Sequence, residues 1–248
     1  MDALMGRVQV CLLAAVLAGG CSRPSEPPPA AAPAPPAAPA QAVALVPPAI
    51  VSRRLSDEVW SVQASNAVAP GTLYVFLPDG TLLISSPGSR PGLGTWNKTG
   101  EGRLTMVEES RPYAVDVLEL TAKVLRLRSH NPGTPVEMTL APATLPVLVP
   151  ERFQGEWNAK PRDCGTAGNE SRLRIGADSI RFYESAGSLR AVLPQPGNAE
   201  LVLVTQLWSD GQARLAYRQY RVSADGRTLT DVTAGERGGL VRQRCAAR

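Results

Sequence analysis

Apolar and polar residues alternate in short runs between turn residues along most of the chain after residue 50. A two-residue period is typical of strands that bury one face, and no segment carries a long apolar stripe at helical spacing. The clearest hairpin signal is Asp79-Gly80, which lies between the apolar runs 71–77 and 81–85, because a tight turn needs the positive φ that glycine adopts. The pattern therefore predicts an all-β protein.

The predicted strands fall into two groups of about eight, on either side of the proline-rich segment 142–150. They cover 58–62, 71–77, 81–85, 94–97, 103–108, 113–120, 123–128 and 136–140 in the first group, and 153–158, 172–175, 179–183, 188–193, 200–208, 212–222, 228–231 and 240–244 in the second. We predict a first β domain over 50–141, a linker over 142–150 and a second β domain over 151–248. Each domain is expected to be a small antiparallel meander barrel or sandwich, since closure removes the exposed edges of a meander.

Each group begins with a tryptophan on its first strand, Trp60 in the first and Trp157 in the second. The shared position is consistent with a distant repeat. A tryptophan on a first strand is more often simply the largest side chain that fills a small core. Both interpretations stay open at this point.

The amino terminus has the features of an export signal. Residues 8–18 form an apolar run that is too short for a stable transmembrane helix, and small residues follow it. Leu17-Ala18-Gly19-Gly20-Cys21 resembles a bacterial lipobox, which implies removal of residues 1–20 as a signal peptide and lipidation of Cys21. By the same resemblance, Ser22 implies sorting to the outer membrane, facing the periplasm. The alternative is an ordinary secreted protein cut near Ala18.

Residues 21–49 combine the Cys21 lipidation position with a segment dominated by proline and alanine. Proline fixes φ and favours extended polyproline II structure, so this segment is expected to be a disordered spacer with a reach of about 80 Å. The membrane is thus a predicted partner through the lipid anchor.

Cysteine usage predicts one disulfide. Four cysteines are present; Cys11 leaves with the signal and Cys21 is lipidated, so Cys164 and Cys245 remain, and an even pair in an exported protein is typical of a disulfide. Because these cysteines flank the first and last strands of the second domain, the bridge would close its sheet. A zinc site is disfavoured, since the chain has one histidine and zinc needs three or four protein ligands.

Charge is concentrated in the second half. Residues 51–149 carry nine basic and nine acidic side chains, and residues 150–248 carry fifteen and eleven. Arg172 and Arg174 share one face of their predicted strand, and Arg242 and Arg244 share one face of theirs. Such faces attract an anionic partner or pair with glutamates on a solvated exterior. A nucleic-acid partner is disfavoured, because aromatic residues do not interleave with these arginines.

The sequence holds no recognisable catalytic arrangement. His130 lies in a polar turn, and neither a Gly-x-Ser-x-Gly nor a Ser-x-x-Lys motif accompanies it. Glu108 and Glu109 are adjacent, and on a strand they point to opposite faces. We therefore expect no enzyme activity, no metal site and no cofactor.

Gly155-Glu156-Trp157, at the start of a meander, resembles the Gly-x-Trp opening of lipocalin-type barrels. That resemblance implies an arginine of the last strand, Arg242 or Arg244, packed over Trp157. Gly94-Thr95-Trp96, together with the Asp79-Gly80 hairpin, is similar to small lipocalin-like modules of bacterial lipoproteins. The family implies barrels with an apolar interior, although a narrow barrel is filled by its own side chains.

Two functions follow as expectations. The first is a noncatalytic envelope lipoprotein that binds a small hydrophobic or anionic envelope component, with ligand-binding residues unidentified. The second is a periplasmic protein-interaction or enzyme-inhibitor module that inserts the segment 85–94 into the cleft of a partner. The competing interpretation of that segment is a plain hairpin connection.

Overall fold

The computed structural model describes residues 55–145, 147–166, 168–209, 211–234 and 239–246. The predicted signal peptide, the Cys21 lipidation position and the whole proline-rich spacer lie outside these residues. The described part is all-β and contains two closed antiparallel barrels of eight strands each. The predicted fold class is confirmed.

Each barrel is a meander in which consecutive strands pair and the last strand returns to the first. The first barrel contains β1 (Val59–Ser65), β2 (Leu73–Phe76), β3 (Thr81–Ser85), β4 (Gly92–Gly100), β5 (Arg103–Glu108), β6 (Arg111–Leu120), β7 (Leu125–Ser129) and β8 (Val136–Pro142). The second contains β9 (Gly155–Asn158), β10 (Leu173–Ile175), β11 (Ser179–Arg181), β12 (Ala186–Pro194), β13 (Glu200–Ser209), β14 (Gln212–Val222), β15 (Thr228–Asp231) and β16 (Val241–Arg244). The first barrel closes by the pairing of β1 with β8, and the second closes by the pairing of β16 with β9.

Turn chemistry sets the hairpins as the sequence predicts. Gly80 has φ 86°, and its N–H donates to the Leu77 carbonyl at 3.0 Å. Asp79 keeps a negative φ, so the connection is a type I turn followed by a left-handed glycine. This turn places β2 and β3 side by side.

A glycine on the fourth strand of each barrel lets that strand approach its neighbour closely. A Cβ at Gly94 would overlap the Val107 carbonyl oxygen, and a Cβ at Gly187 would lie 2.7 Å from the Gln206 carbonyl oxygen. A side chain at either position would therefore force the two strands apart.

Apolar side chains fill both barrels and also the space between them. Val59, Val75 and Leu83 on the outer face of the first barrel pack against Val202 and Val204 on the outer face of the second. Glu58 and Arg190 form an ion pair of 2.6 Å at this boundary. The connecting segment also packs down, because Leu145 contacts this shared core and Val149 is buried in the core of the second barrel. The two predicted domains thus share one apolar interface.

Candidate functional site

One end of the second barrel is closed by Trp157 and Arg244, which are register partners on β9 and β16. The Arg244 guanidinium carbon lies 4.1 Å from the centre of the Trp157 ring. Its nitrogens donate to the carbonyl oxygens of Gly226 at 2.7 Å, of Gln154 at 2.6 Å and of Arg152. The Trp157 indole N–H donates to the Phe153 carbonyl at 2.9 Å, at the 3-10 helix Glu151–Phe153. We call this the closed end.

Arg242 lies two residues before Arg244 and therefore points to the same, inner face of β16. Its register partner is Leu229, which is fully buried in the barrel core. Arg242 itself is 6% exposed, and its Nε donates to the Ser171 carbonyl at 2.7 Å. Its Nη1 is buried without a hydrogen-bond partner in the described part of the chain. None of the ion pairs between described residues includes Arg242.

A second unpartnered polar group lies inside the same barrel. Tyr220 is fully buried, and its hydroxyl has no hydrogen-bond partner among the described residues. Its register partner Asp231 accepts a hydrogen bond from the Thr233 backbone N–H at 3.0 Å. Arg218, two residues before Tyr220 on the same face, lies 5.8 Å from the centre of the Phe182 ring. Polar side chains thus enter the barrel from β14, β15 and β16.

Arg242, Tyr220, Asp231 and Arg218 form a polar cluster inside the barrel, and burial determines the ionisation of Tyr220 and Arg242. Burial raises the pKa of the Tyr220 hydroxyl, and the Asp231 carboxylate raises it further, so the hydroxyl keeps its proton and remains a donor. Burial lowers the pKa of the Arg242 guanidinium, partly offset by Tyr220 and Asp231. An arginine nevertheless stays charged at neutral pH. The interior of the barrel therefore holds one buried cation, Arg242, and one neutral donor, the Tyr220 hydroxyl.

A cavity reaches this cluster because β14 is much longer than β15. The pairing of β14 with β15 ends at Tyr220 and Asp231, and β14 continues back to Gln212. The cavity beside this stretch has a volume of about 810 Å³ and is lined by Arg242, Arg218, Asp231, Leu207 and Leu240 among others. We call it the open-end cavity. The first barrel contributes Leu77, Pro78, Asp79 and Thr81 to its lining.

The described core of the first barrel is largely apolar and runs from Leu55 and Trp60 through Phe76 and Leu104 to Leu140. The Trp60 indole N–H donates to the Leu55 carbonyl oxygen at 3.3 Å. A smaller depression of about 360 Å³ lies at the rim of this barrel, beside Glu108 and Tyr113. Burial and the neighbouring Glu109 raise the pKa of Glu108.

The structure confirms the predicted disulfide between Cys164 and Cys245. Cys245 follows the last strand directly, and its backbone N–H donates to the Glu156 carbonyl of the first strand at 2.8 Å. The bridge therefore attaches the loop after β9 to the seam that closes the barrel.

The two predicted arginine pairs have different environments. Arg172 and Arg174 lie 3.3 Å and 4.0 Å from the Glu156 carboxylate. These two arginines therefore pair with a glutamate, which was the alternative to an anionic partner. Arg242 and Arg244 share a face as predicted, and that face is the inside of the barrel. Sequence alone left this side undetermined, because a four-residue strand carries too few apolar residues to mark its inner face.

Other residues discussed from the sequence lie apart from the open-end cavity. His130 contacts the Asp116 carboxylate at 2.8 Å and is 45% exposed. Glu108 lies at the rim of the first barrel, and Glu109 belongs to the β5–β6 turn with φ 48°. The segment 85–94 is partly strand: Ser85 ends β3 and Gly92 begins β4, so only 86–91 connect them. The connecting residues lie beside Val192 to Pro196 of the second barrel.

Sequence reasoning missed Arg218 and Tyr220. A usable signal was present, because Val222, Tyr220 and Arg218 alternate along β14, and the first two are the apolar and aromatic residues expected inside. Because Arg218 continues this inward-facing series, the pattern places a charged side chain inside the barrel, where charged residues are rare.

Within the described residues, no group of three or more histidine, cysteine, aspartate or glutamate side chains is arranged to hold a metal ion. The same part of the chain contains no helix of the length and apolarity needed to cross a membrane. Comparison with protein-family models, curated proteins and solved structures finds no match to this chain.

Proposed function

We propose that the protein is a noncatalytic envelope lipoprotein that binds a small anionic molecule in the open-end cavity of its second barrel. The observation that carries this proposal is Arg242, a buried guanidinium that has an unpartnered nitrogen and no carboxylate in contact. An unpaired buried charge is costly. A carboxylate or phosphate of a ligand would offset that cost, because its oxygens match the planar fork of arginine.

The cavity also limits the size and character of the ligand. Its volume of about 810 Å³ lies in the range of small-molecule sites, which is about 300–1,000 Å³. Leucines line it beside the arginines, which fits a molecule with one acidic group and a short apolar part. Arg218 also lines the cavity and supplies a second cation beside Arg242.

The cellular setting in this proposal comes from the sequence. Residues 1–20 direct export, Cys21 carries the lipid, and the spacer holds the barrels away from the outer membrane on its periplasmic side. A lipocalin-like relationship is part of the same proposal and is supported by Arg244, which packs over Trp157 as that resemblance implies.

The test uses the full chain, purified in detergent, and three probes that share one alkyl chain: dodecanoate, dodecyl phosphate and dodecanol. We expect the two acids to bind and to raise the unfolding temperature, and the alcohol to bind at least tenfold more weakly. Arg242→Met is expected to abolish the difference between acid and alcohol. Arg126→Met, at an exposed position on β7 of the first barrel, is the matched control and should bind like the unchanged protein.

Equal binding of acid and alcohol would contradict the proposal, as would acid binding that survives Arg242→Met. Mass spectrometry of material bound to the protein from its native host adds a second readout. A small acid released from the unchanged protein and lost in Arg242→Met supports the proposal. A single co-purifying enzyme in place of any small molecule would favour the inhibitor alternative.

A further inference from the structure

A separate feature lies on the outer face of the second barrel, where the register places six residues in one row across six strands. From β9 to β14 the row consists of Glu156, Arg174, Arg181, Ala186, Trp208 and Ala213. We call it the outer row. Residues directly opposite on neighbouring strands point to the same side of the sheet. The row therefore forms one continuous surface.

Two arginines in the outer row lie directly opposite each other, Arg174 on β10 and Arg181 on β11. Like charges in this position destabilise a sheet. Glu156 does little to neutralise them, because its Oε1 accepts hydrogen bonds from the Gly165 N–H at 2.7 Å and from Asn158 at 3.0 Å. Its Oε2 is closer to Arg172 than to Arg174, at 3.3 Å against 4.0 Å. The pair therefore leaves an uncompensated positive charge.

Trp208 lies in the same row and is 58% exposed. Its register partners on both sides are alanines, Ala186 and Ala213, so short side chains flank the indole and leave it open. Between Trp208 and the arginines is a groove of about 780 Å³, with Ser179 and Ser188 among its lining residues. An exposed tryptophan beside two arginines that share only one long ion pair with a glutamate is the composition of a binding hot spot.

We infer that the outer row binds a sugar chain that carries carboxylate groups. The arginine pair matches the carboxylates, the serines match ring hydroxyls, and the open indole face provides a flat platform for a sugar ring. Arg174 and Trp208 are three strands apart, about 14 Å, which gives room for more than one ring. This site is separate from the open-end cavity, because the two share no lining residue.

An acidic peptide fits the groove less well than an acidic sugar chain. Extended peptides gain much of their affinity by adding a strand to a free sheet edge. The outer row crosses the wall of a closed barrel near the ends of its strands, and the paired strands already use their backbone groups in ladder hydrogen bonds. Recognition here has to come from side chains alone.

The test measures binding of the full chain to oligogalacturonate, with a neutral malto-oligosaccharide and oligoglutamate as comparison probes. We expect binding to oligogalacturonate and at least tenfold weaker binding to the other two. Arg181→Gln and Trp208→Ala should each weaken oligogalacturonate binding by about tenfold. Arg126→Gln, on the first barrel, should leave it unchanged.

Stability provides the folding control. Arg181→Gln removes a like-charge pair, so its unfolding temperature should equal or slightly exceed that of the unchanged protein. Arg242→Met should retain oligogalacturonate binding, which separates this site from the cavity. The inference is overturned if oligogalacturonate does not bind, if oligoglutamate binds equally well, or if Trp208→Ala has no effect on binding.

Discussion

The two barrels share a strand count, a meander order, a buried tryptophan on the first strand and a glycine on the fourth. They differ at the residue of the last strand that pairs with this tryptophan, which is Pro142 for Trp60 and Arg244 for Trp157. Among the described residues, the core cluster of the first barrel contains fifteen buried residues and that of the second contains twelve. The smaller core has two additional constraints, the Arg244 closure and the disulfide. A small apolar core commonly needs such help.

The second barrel contains a similar contrast, between two arginines on β16 that have different environments. Arg244 is hydrogen-bonded to three carbonyl oxygens and packs on an aromatic face. Arg242 points the same way and keeps an unpartnered nitrogen. The fold therefore satisfies the nitrogens of one inward arginine and leaves a nitrogen of the other without a partner among the described residues.

The largest expected effect comes from removing the disulfide. Cys164 and Cys245 are 81 residues apart, and closing a loop of that size stabilises a protein by about 4 kcal/mol through the unfolded state. Replacing both cysteines with alanine should lower the free energy of unfolding by about that amount. Hydrogen exchange followed by mass spectrometry should show more loss of protection in β9–β16 than in β1–β8. Equal loss in both barrels would show that the bridge stabilises the molecule as a whole.

Next in size is Arg244→Ala, which removes three hydrogen bonds and a cation–π contact at the closed end. We expect a loss of about 3 kcal/mol in the free energy of unfolding. Pro142→Ala, at the matching position of the first barrel, is the control and should change it by less than about 0.5 kcal/mol. Urea unfolding of both variants measures the difference. Similar losses would mean that the two barrel ends are closed by equivalent means.

Much of this architecture could be predicted because strand pairing obeys local rules. The alternation of residues located all sixteen strands, and the meander order followed from the short connections between them. The ends were less accurate: Phe153 belongs to the 3-10 helix that precedes β9, and β4 continues to Gly100. Strand ends depend on turn geometry, which short sequence patterns specify weakly.

The candidate site was harder to predict than the fold. The pairing of Arg242 with Arg244 on one face followed from the two-residue period, but which face lies inside depends on neighbours distant in sequence, such as Leu229 and Trp157. The open-end cavity depends on the difference in length between β14 and β15. The interface between the barrels likewise comes from outer-face residues, such as Val75 and Val202, that look like ordinary strand residues in sequence.

A smaller effect is expected from Arg242→Met. Replacing a buried, unpaired charge with an apolar side chain of similar length removes a desolvation cost, so stability should stay within about 1 kcal/mol or increase. Arg244→Met is the matched comparison on the same strand and should destabilise. Thermal unfolding of the two variants, without added ligand, tests the assignment. A large loss in Arg242→Met would show that Arg242 supports the fold and would weaken its assignment to a ligand.

The smallest expected effect is a difference in acid response between the barrels. Burial would raise the pKa of Glu156 in the second barrel, but the Gly165 N–H and Arg172 outweigh it and lower the pKa. Burial raises the pKa of Glu108 in the first barrel from 4.5, with a further contribution from Glu109. A carboxyl whose pKa is lower in the folded state stabilises the fold at pH values above its ordinary pKa, and this stabilisation is lost as the pH falls. A carboxyl whose pKa is raised in the folded state destabilises the fold at pH values above its ordinary pKa.

Glu156→Gln should therefore destabilise at about pH 7 and lose its effect as the pH falls below the ordinary value of about 4.5. Glu108→Gln should be neutral or stabilising at about pH 7, because the ionised carboxylate is the unfavourable form there, and its effect should also vanish in acid. Urea unfolding at about pH 7 and at a pH below about 4.5 measures the free energy of unfolding of both variants. Because the two substitutions act in opposite directions at neutral pH, a shared sign would show that the two barrels do not differ in how they hold these carboxylates.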